Sequence, residues 1–235
     1  MSTLLYEGKA KKIFSTDQAD EVCIYYKDDA TAFNGEKKGQ IHDKGILNNK
    51  MSGALFEFLA QRGIPTHFIK TLSDRETLAR KVAIIPLEVV VRNIVAGSLA
   101  KRLGWEEGKV LAKPIIEFYY KDDELGDPLI NNSHIQALNA ATPEEIARLE
   151  TLASEINALL QPFFLARGVL LVDFKLEFGK DAKGNIYLAD EISPDTCRFW
   201  DKATKEKLDK DRFRRDLGNV EGAYHEMFDR ITAGV

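Results

Sequence analysis

The run VLLVDFKLEFG, from Val169 to Gly179, constrains the fold more than any other stretch of the chain. Its first four residues are apolar without alternation, as in a strand covered on both faces. From Asp173 onward the pattern alternates, with Phe174, Leu176 and Phe178 on one face and Asp173, Lys175 and Glu177 on the other. A strand that starts inside the protein thus carries two carboxylates and a lysine. The turn DAKGN and the string IYLADEISPD follow, which predicts a hairpin over Val169 to Ile192. If that hairpin pairs Lys175 with Asp190, then Glu177, Lys175 and Asp190 share one face. Hard carboxylate oxygens on a rigid sheet suit Mg2+, with a lysine to offset phosphate charge. A surface hairpin with cross-strand ion pairs would show the same alternation, each pair contributing about 1 kcal/mol or less.

A second apolar run, VAIIPLEVVVRN from Val82 to Asn93, predicts a strand crossing a buried sheet. Pro86 within it marks an edge, a bulge or a crossing between domains, and the domain junction is placed near this point. The run delivers Arg92, and the following Ala96-Gly97 turn opens a helix at Ser98. Free N–H groups at a helix start, a hydroxyl and a guanidinium fork together suit an anion. Upstream, YEGKAKKIF sets a glycine between two short strands, with Lys9 and Lys11 projecting the same way. No GK[ST] follows, so this is not a Walker loop. Downstream, SPDTCRFWD reads as an irregular segment that brings Arg198 eight residues beyond Asp190.

Elsewhere, Lys44 to Arg62 reads as a helix with Leu47, Met51, Leu55, Phe58 and Leu59 as its apolar stripe, stopped by Gly63. Thr142, Pro143 and Glu145 form a capping box, and the helix they open closes at Gly168. THFIKTL reads as a strand, SDRETLARK as a connecting segment, and the chain from about Asp209 as a terminal helix. Arg212, Arg214 and Arg215 crowd the start of that helix, where such charges are ordinarily solvated.

Composition limits the function. The 235 residues carry 44% hydrophobic and 30% charged side chains and a formal net charge of −4. No global field favours nucleic acid or anionic lipid. No stretch approaches the ~18 consecutive apolar residues of a membrane span. Cys23 and Cys197 are far apart, and the four histidines lack metal-ligand spacing, which excludes a disulfide framework or a structural zinc site. A reducing cytoplasm is the expected compartment. Several anion sites plus a carboxylate pair suit an enzyme handling ATP and a second phosphorylated or carboxylated substrate, through positioning and charge stabilisation.

The ordered set YEGKAKKIF, KGILNNK, GIPTHF, PLEVVVRNIVAGSLAKR, VDFKLEFG, LADEISPDTCRFWD and KDRFRRDLG resembles the SAICAR synthetase (phosphoribosylaminoimidazole-succinocarboxamide synthase) family, short monofunctional form, from about Leu5 to Ile231. The resemblance implies an α+β fold with antiparallel sheets, ATP-grasp-like, with the nucleotide in a cleft between domains at 1–82 and 83–235. It implies ATP-dependent ligation of L-aspartate to the carboxylate of an aminoimidazole carboxylate ribonucleotide, with an acyl phosphate as the simplest route. Its partners would be those small molecules and Mg2+, with no nucleic acid and no membrane, in a homodimer. By position, Lys9 and Lys11 match phosphate-contacting lysines, and Lys81 and Val82 the hinge at the adenine. Glu177 and Asp190 match the metal-nucleotide residues, with Lys175 between them and Lys121 close by. Arg92, Ser98, Asp127 and Arg198 match the imidazole nucleotide pocket, and Arg214 is counted with these substrate-side residues. Lys175, Arg92 and Arg198 are the expected catalytic groups. Asn34 departs from relatives with an aspartate there, which puts an acidic role at that position in doubt. Cys197 stands where some relatives have a small hydroxyl residue, and is read as packing.

Overall fold

A computed structural model describes residues 2–32 and 37–233, so the reading of Asn34 lies outside the described residues. The first part of the chain runs β1 (Leu4–Glu7), β2 (Lys11–Ser15), β3 (Glu21–Tyr26), β4 (Asp29–Ala32), β5 (Lys37–Gln40), α1 (Lys44–Ala60), β6 (Phe68–Thr71) and β7 (Glu76–Arg80). Among the described residues these give a five-stranded antiparallel sheet in the order β1-β2-β3-β7-β6, with β4 and β5 as a separate ribbon. Strand β7 corrects the expected connecting segment. In ETLAR only Thr77 and Ala79 are buried, so the alternation is genuine but too short and polar to stand out.

Helix α1 buries Leu47, Met51, Leu55 and Leu59 at helical spacing, and Gly63 follows with φ +87. A polar row on the same helix, Lys44, Asn48 and Ser52, is buried as well. The reason is that α1 is covered on a second side: Lys44 pairs with Asp195 at 2.6 Å, and Ser52 Oγ accepts from Ile192 N at 3.2 Å. This helix therefore joins the core to the segment after the acidic hairpin.

The remainder runs β8 (Ala83–Ile94), α2 (Gly97–Leu103), β9 (Val110–Tyr120), β10 (Leu129–Ile130), α3 (Asn132–Ala137), α4 (Pro143–Leu165), β11 (Val169–Lys180), β12 (Ile186–Ala189), β13 (Cys197–Asp201), α5 (Asp211–Arg214) and α6 (Val220–Thr232). Strand β11 lies at the centre of a six-stranded antiparallel sheet. It pairs with β8 along one edge, and with β13 and then β12 along the other. Its Phe174, Leu176 and Phe178 are at most 1% exposed and pack against α4 through Leu149, Leu152 and Ile156. Each such side chain contributes roughly 1.5–3 kcal/mol by leaving water. The capping box of α4 is as expected: Thr142 Oγ1 accepts from Glu145 N at 3.2 Å, and Glu145 accepts from Thr142 N at 2.9 Å.

Two expectations change here, and a third, left open between an edge, a bulge and a crossing, is resolved. The irregular segment around Arg198 is strand β13, whose Phe199 and Trp200 are buried. The terminal helix is two helices, α5 and α6, parted by Gly218 (φ +70) and Asn219 (φ +46). Pro86 sits at a slip in the β8–β11 register, where its carbonyl accepts from Lys121 N at 3.1 Å. A bulge absorbs the missing donor at this position. The two large sheets are stitched together nearby, since His67 N donates to Leu188 O and Leu188 N to Pro65 O, both at 2.8 Å.

Candidate active site

Between the five-stranded and six-stranded sheets lies a cleft of about 820 Å³. Every residue assigned to the phosphate, adenine, metal or substrate sites from the sequence lines it except Ser98, which is exposed and turned instead to Arg92. One wall is apolar, built from Ile13, Val22 and Ile24 of the first sheet and Val82 and Ile84 at the junction. It suits a flat, uncharged ring. Gly179 lets the junction close up, because a Cβ there would meet Val82 Cγ2 at 2.5 Å.

Strand β11 presents its alternate face to the cleft. Lys175 Nζ donates to Glu88 Oε1 at 2.7 Å and Glu177 Oε1 at 3.0 Å, and Lys121 donates to that same Glu177 oxygen at 3.0 Å. The predicted pairing of Lys175 with Asp190 is off by one. Glu177 stands opposite Ala189, and β12 ends there. Asp190 takes a left-handed backbone, φ +60, which turns its carboxylate back onto the expected face. Its Oδ2 lies 4.0 Å from Lys175 Nζ, while Oδ1 accepts from Lys11. The three side chains therefore meet as expected, by a different backbone route. Lys9 and Lys11 part company: Lys9 is on the turn between β1 and β2 and reaches Asp123 at 2.7 Å.

The charges at this end determine one another. Burial alone would push the Lys11 ammonium down, but Asp190 and Glu191 outweigh it and hold its pKa well above the usual lysine value. Lys175 is raised in the same way against burial, by Glu177, Asp190 and Glu88. Asp190 is held well below the ordinary carboxylate range despite its burial, because Lys11 and Lys175 face it. Glu191 is pushed up by burial, with Asp190 and Asp195 adding to the shift. His67, which the sequence reading passed over, lines the cleft and is pushed down to about 4 by burial and by Lys11.

The residues fit a divalent cation in donor type. Glu177 and Asp190 supply hard oxygens either side of Lys175, and Glu191 Oε2 is buried with no hydrogen-bond partner among the described residues. No group of three or more carboxylate, histidine or cysteine side chains is gathered as a ready metal cage among the described residues. A cation here would need phosphate oxygens or water to complete its shell, as Mg2+ commonly does.

The opposite end is built on arginines. Asp173 of β11 stands across from Arg92 on β8 and from Arg198 on β13. It accepts from Arg92 Nη1 at 2.9 Å and from Arg198 Nη1 at 2.9 and 3.0 Å. The guanidinium of Arg92 also donates to Glu117 at 2.7 Å and to Ser98 Oγ and Tyr119 Oη at 3.0 Å. Arg92, expected to receive an anion, is thus largely occupied by the protein's own groups. Arg198 packs over Gly97, where a Cβ would meet its Nη2 at 2.6 Å. Arg214 donates to Asp211 at 2.7 Å, and the Asp127 carboxylate accepts from Asp122 N at 3.0 Å. Cys197 is buried and its thiol is pushed up by that burial, in keeping with a packing role.

Sequence reasoning missed Glu88, Asp211 and the Lys44–Asp195 pair. Glu88 had a signal: in PLEVVVRN it falls on the same strand face as Arg92. Lys44 meets Asp195, and Asp211 meets Arg198, only through the tertiary fold.

An apolar slot between two sheets, bordered by a lysine–carboxylate pole and an arginine pole, defines a nucleotide-handling enzyme of the kind that acts on anionic substrates. The chain belongs to the SAICAR synthetase family, whose model it matches over residues 4–231. It is 65% identical over 229 residues to phosphoribosylaminoimidazole-succinocarboxamide synthase of Clostridium botulinum (strain Eklund 17B / Type B), covering 97% of both chains. Among solved structures it is similar to the enzyme of the same name from Ehrlichia chaffeensis, at 49% identity and TM-score 0.96, over 98% of this chain and 99% of that one. A SAICAR synthetase in complex with ADP is 51% identical with TM-score 0.94, over 97% of each chain.

Proposed function

We propose that the chain is an ATP-dependent ligase that joins L-aspartate to the carboxylate of 5-amino-1-(5-phosphoribosyl)imidazole-4-carboxylate, giving the succinocarboxamide, ADP and phosphate, in the purine route to IMP. The observation that carries this reading is the separation of the cleft's poles. Lysines paired with exchangeable carboxylates stand at one end, buried arginines at the other, and both border an apolar slot. The relative solved in complex with ADP supports nucleotide use.

A carboxylate is a poor acyl donor because oxide is its leaving group. Attack of its oxygen on the γ-phosphorus breaks the bond to ADP and yields an acyl phosphate. The aspartate amine then attacks the carbonyl carbon, losing a proton, and phosphate departs. Lys11 and Lys175 stabilise the charge on the transferring group by exchanging their carboxylate partners for phosphate oxygens. Glu177 and Asp190 would hold Mg2+, which when bound neutralises β- and γ-phosphate charge. Lys81 and Val82 border the adenine end. Lys9 and Lys121 stand at the lip of the phosphate path. Arg92 orders Asp173 and through it Arg198, while Arg198, Arg214 and Asp127 face the imidazole nucleotide and aspartate. Residues 1–82 contribute the phosphate-contacting Lys9 and Lys11, and 83–235 the acidic platform and arginines.

The purified chain, given ATP, Mg2+, aspartate and the imidazole carboxylate nucleotide, should release phosphate only when all are present. A stable phosphorylated product, formed without aspartate and without release of phosphate, would make it a kinase instead. A cytoplasmic location belongs to the same proposal, supported by two cysteines that are both free; among the described residues no helix is long and apolar enough to cross a membrane. So does a homodimer, which sedimentation of the chain at monomer mass would remove.

A further inference from the structure

At the arginine pole, Asp211 is 2% exposed, and each of its oxygens is taken by a different arginine. Arg198 Nε donates to Oδ2 at 2.9 Å, and Arg214 Nη1 donates to Oδ1 at 2.7 Å. The backbone that carries this carboxylate is itself fixed. Asp211 N donates to Asp209 Oδ1 at 2.7 Å, and the other oxygen of Asp209 accepts from Phe199 N of β13 at 2.8 Å. Asp209 is wholly buried, so Asp211 is tied to the same strand that carries Arg198.

These contacts account for only one side of each guanidinium. Arg198 spends Nε on Asp211 and Nη1 on Asp173, and its Nη2 has no protein acceptor among the described residues. Arg214 spends Nη1 alone, leaving Nε and Nη2 without one. Both residues line the cleft. A guanidinium is planar and its donors are fixed in a fork, so anchoring one edge aims the other. The cleft lysines differ, for the ammonium groups of Lys11, Lys121 and Lys175 already rest on carboxylates.

We propose that Asp211 is a positioning residue that yokes Arg198 and Arg214, turning their unpaired N–H edges toward one oxyanion group of a substrate. The group is the phosphate of the imidazole nucleotide or a carboxylate of aspartate. This rests on the ligase reading above. Without Asp211 the two cations lose the charge that holds them near each other, and the receiving edges are no longer fixed before substrate arrives.

The test is Asp211→Asn, measured for kcat, for the KM of ATP, aspartate and nucleotide separately, and for thermal unfolding. The expected result is a rise of about tenfold in the KM of nucleotide or of aspartate, the size of one charged hydrogen bond, with the KM of ATP within about twofold. Whichever KM moves identifies the oxyanion. Arg214→Gln should raise the same KM, and the double variant should be no worse than the worse single variant. Unchanged Michaelis constants, a uniform loss of kcat with a lowered Tm, or additive effects in the double variant would each overturn the proposal. Should Asp211→Asn be insoluble, Arg214→Gln decides alone: its side chain is 30% exposed, and unchanged KM values for nucleotide and aspartate overturn the yoke. A wild-type chain inactive in the four-component assay would instead remove the ligase reading.

Discussion

The two ends of the cleft use the same elementary pairing, cation on carboxylate, in opposite ways. At the platform end, Lys175 and Lys121 share one oxygen of Glu177, and Lys11 rests on Asp190. An ammonium is a point charge on a flexible stem, so these pairs can be exchanged for phosphate at little geometric cost. At the arginine end, Asp173 bridges Arg92 and Arg198, and Asp211 bridges Arg198 and Arg214. Planar forks held by buried carboxylates keep their direction whether or not substrate is present. The difference teaches that charge count alone does not describe the site: on the proposed ligase reading, one pole exchanges partners during transfer and the other holds still and receives.

The largest effect that would break this contrast is at Glu177. Glu177 is 5% exposed, and its carboxylate serves two lysines. Glu177→Gln should lower kcat roughly a hundredfold, about 3 kcal/mol, with the far-ultraviolet spectrum preserved. Near wild-type turnover would take Glu177 out of the phosphate chemistry, and with it the idea of an exchanging pole.

Rigidity at the other pole has its own probe. Gly97 has φ +53, and a Cβ there would lie 2.6 Å from Arg198 Nη2. Gly97→Ala should therefore raise the KM of the nucleotide or of aspartate about tenfold, while costing about 1 kcal/mol or more of backbone strain. Gly184→Ala is the control, since its φ is +83 but nothing lies within 4 Å of the added methyl. It should lose stability without any change in KM. Equal kinetic effects of the two substitutions would show that backbone strain, not the displaced arginine, is being measured.

The frame beneath the arginines should also leave a signature in pH. Asp209 is pushed up to about 7 by burial, with neighbouring Asp211 adding and two backbone N–H donors and Arg198 opposing. The folded state then holds this proton more tightly than the unfolded chain, whose ordinary value is 3.8. Stability from this group is complete below about 3.8 and is lost as pH rises toward about 7. In Asp209→Asn, stability relative to wild type should increase across that window, by on the order of a few kcal/mol. A constant difference from pH 4 to 8 would mean that Asp209 is ionised throughout.

How much of this was legible in sequence follows from the range of each interaction. The alternation of VDFKLEFG set Lys175 and Glu177 on one face, because strand geometry fixes neighbours two apart. The capping box at Thr142 was legible for the same reason, being closed within three residues. The pairing of Lys175 with Asp190 was misread by one position, since a left-handed residue after β12 is not signalled by an aspartate. Strand β13 was hidden as well: CRFWD is short, and its pairing with β11 is needed to define it. Asp211 drew no notice because its link to Arg214, three residues on, looks like an ordinary helix-surface pair, while Arg198, which makes it a bridge, is thirteen residues away. That Arg92 comes from a buried strand was visible, but not how far its donors are already taken, which depends on Glu117 and Tyr119 across another strand.

The smallest predicted effect sets the outer limit of the exchanging pole. Lys9 meets Asp123 at 2.7 Å, but the two side chains are 44% and 67% exposed. Water screens such a pair, which contributes at most about 1 kcal/mol to stability. Lys9→Met should lower the Tm by no more than about 2–4 °C, because losing so exposed a pair changes little. Its effect on the KM of ATP should be only a few-fold, since one screened lysine contact is worth less than a buried one. That effect should shrink further as salt rises from about 50 to 500 mM, because screening reaches exposed charges first. Lys11→Met should instead be costly and nearly independent of salt, for Lys11 is enclosed by Asp190, Glu191 and Tyr26. If the two lysines respond alike to salt, the platform extends unchanged to the lip, and its exchanging character does not depend on burial.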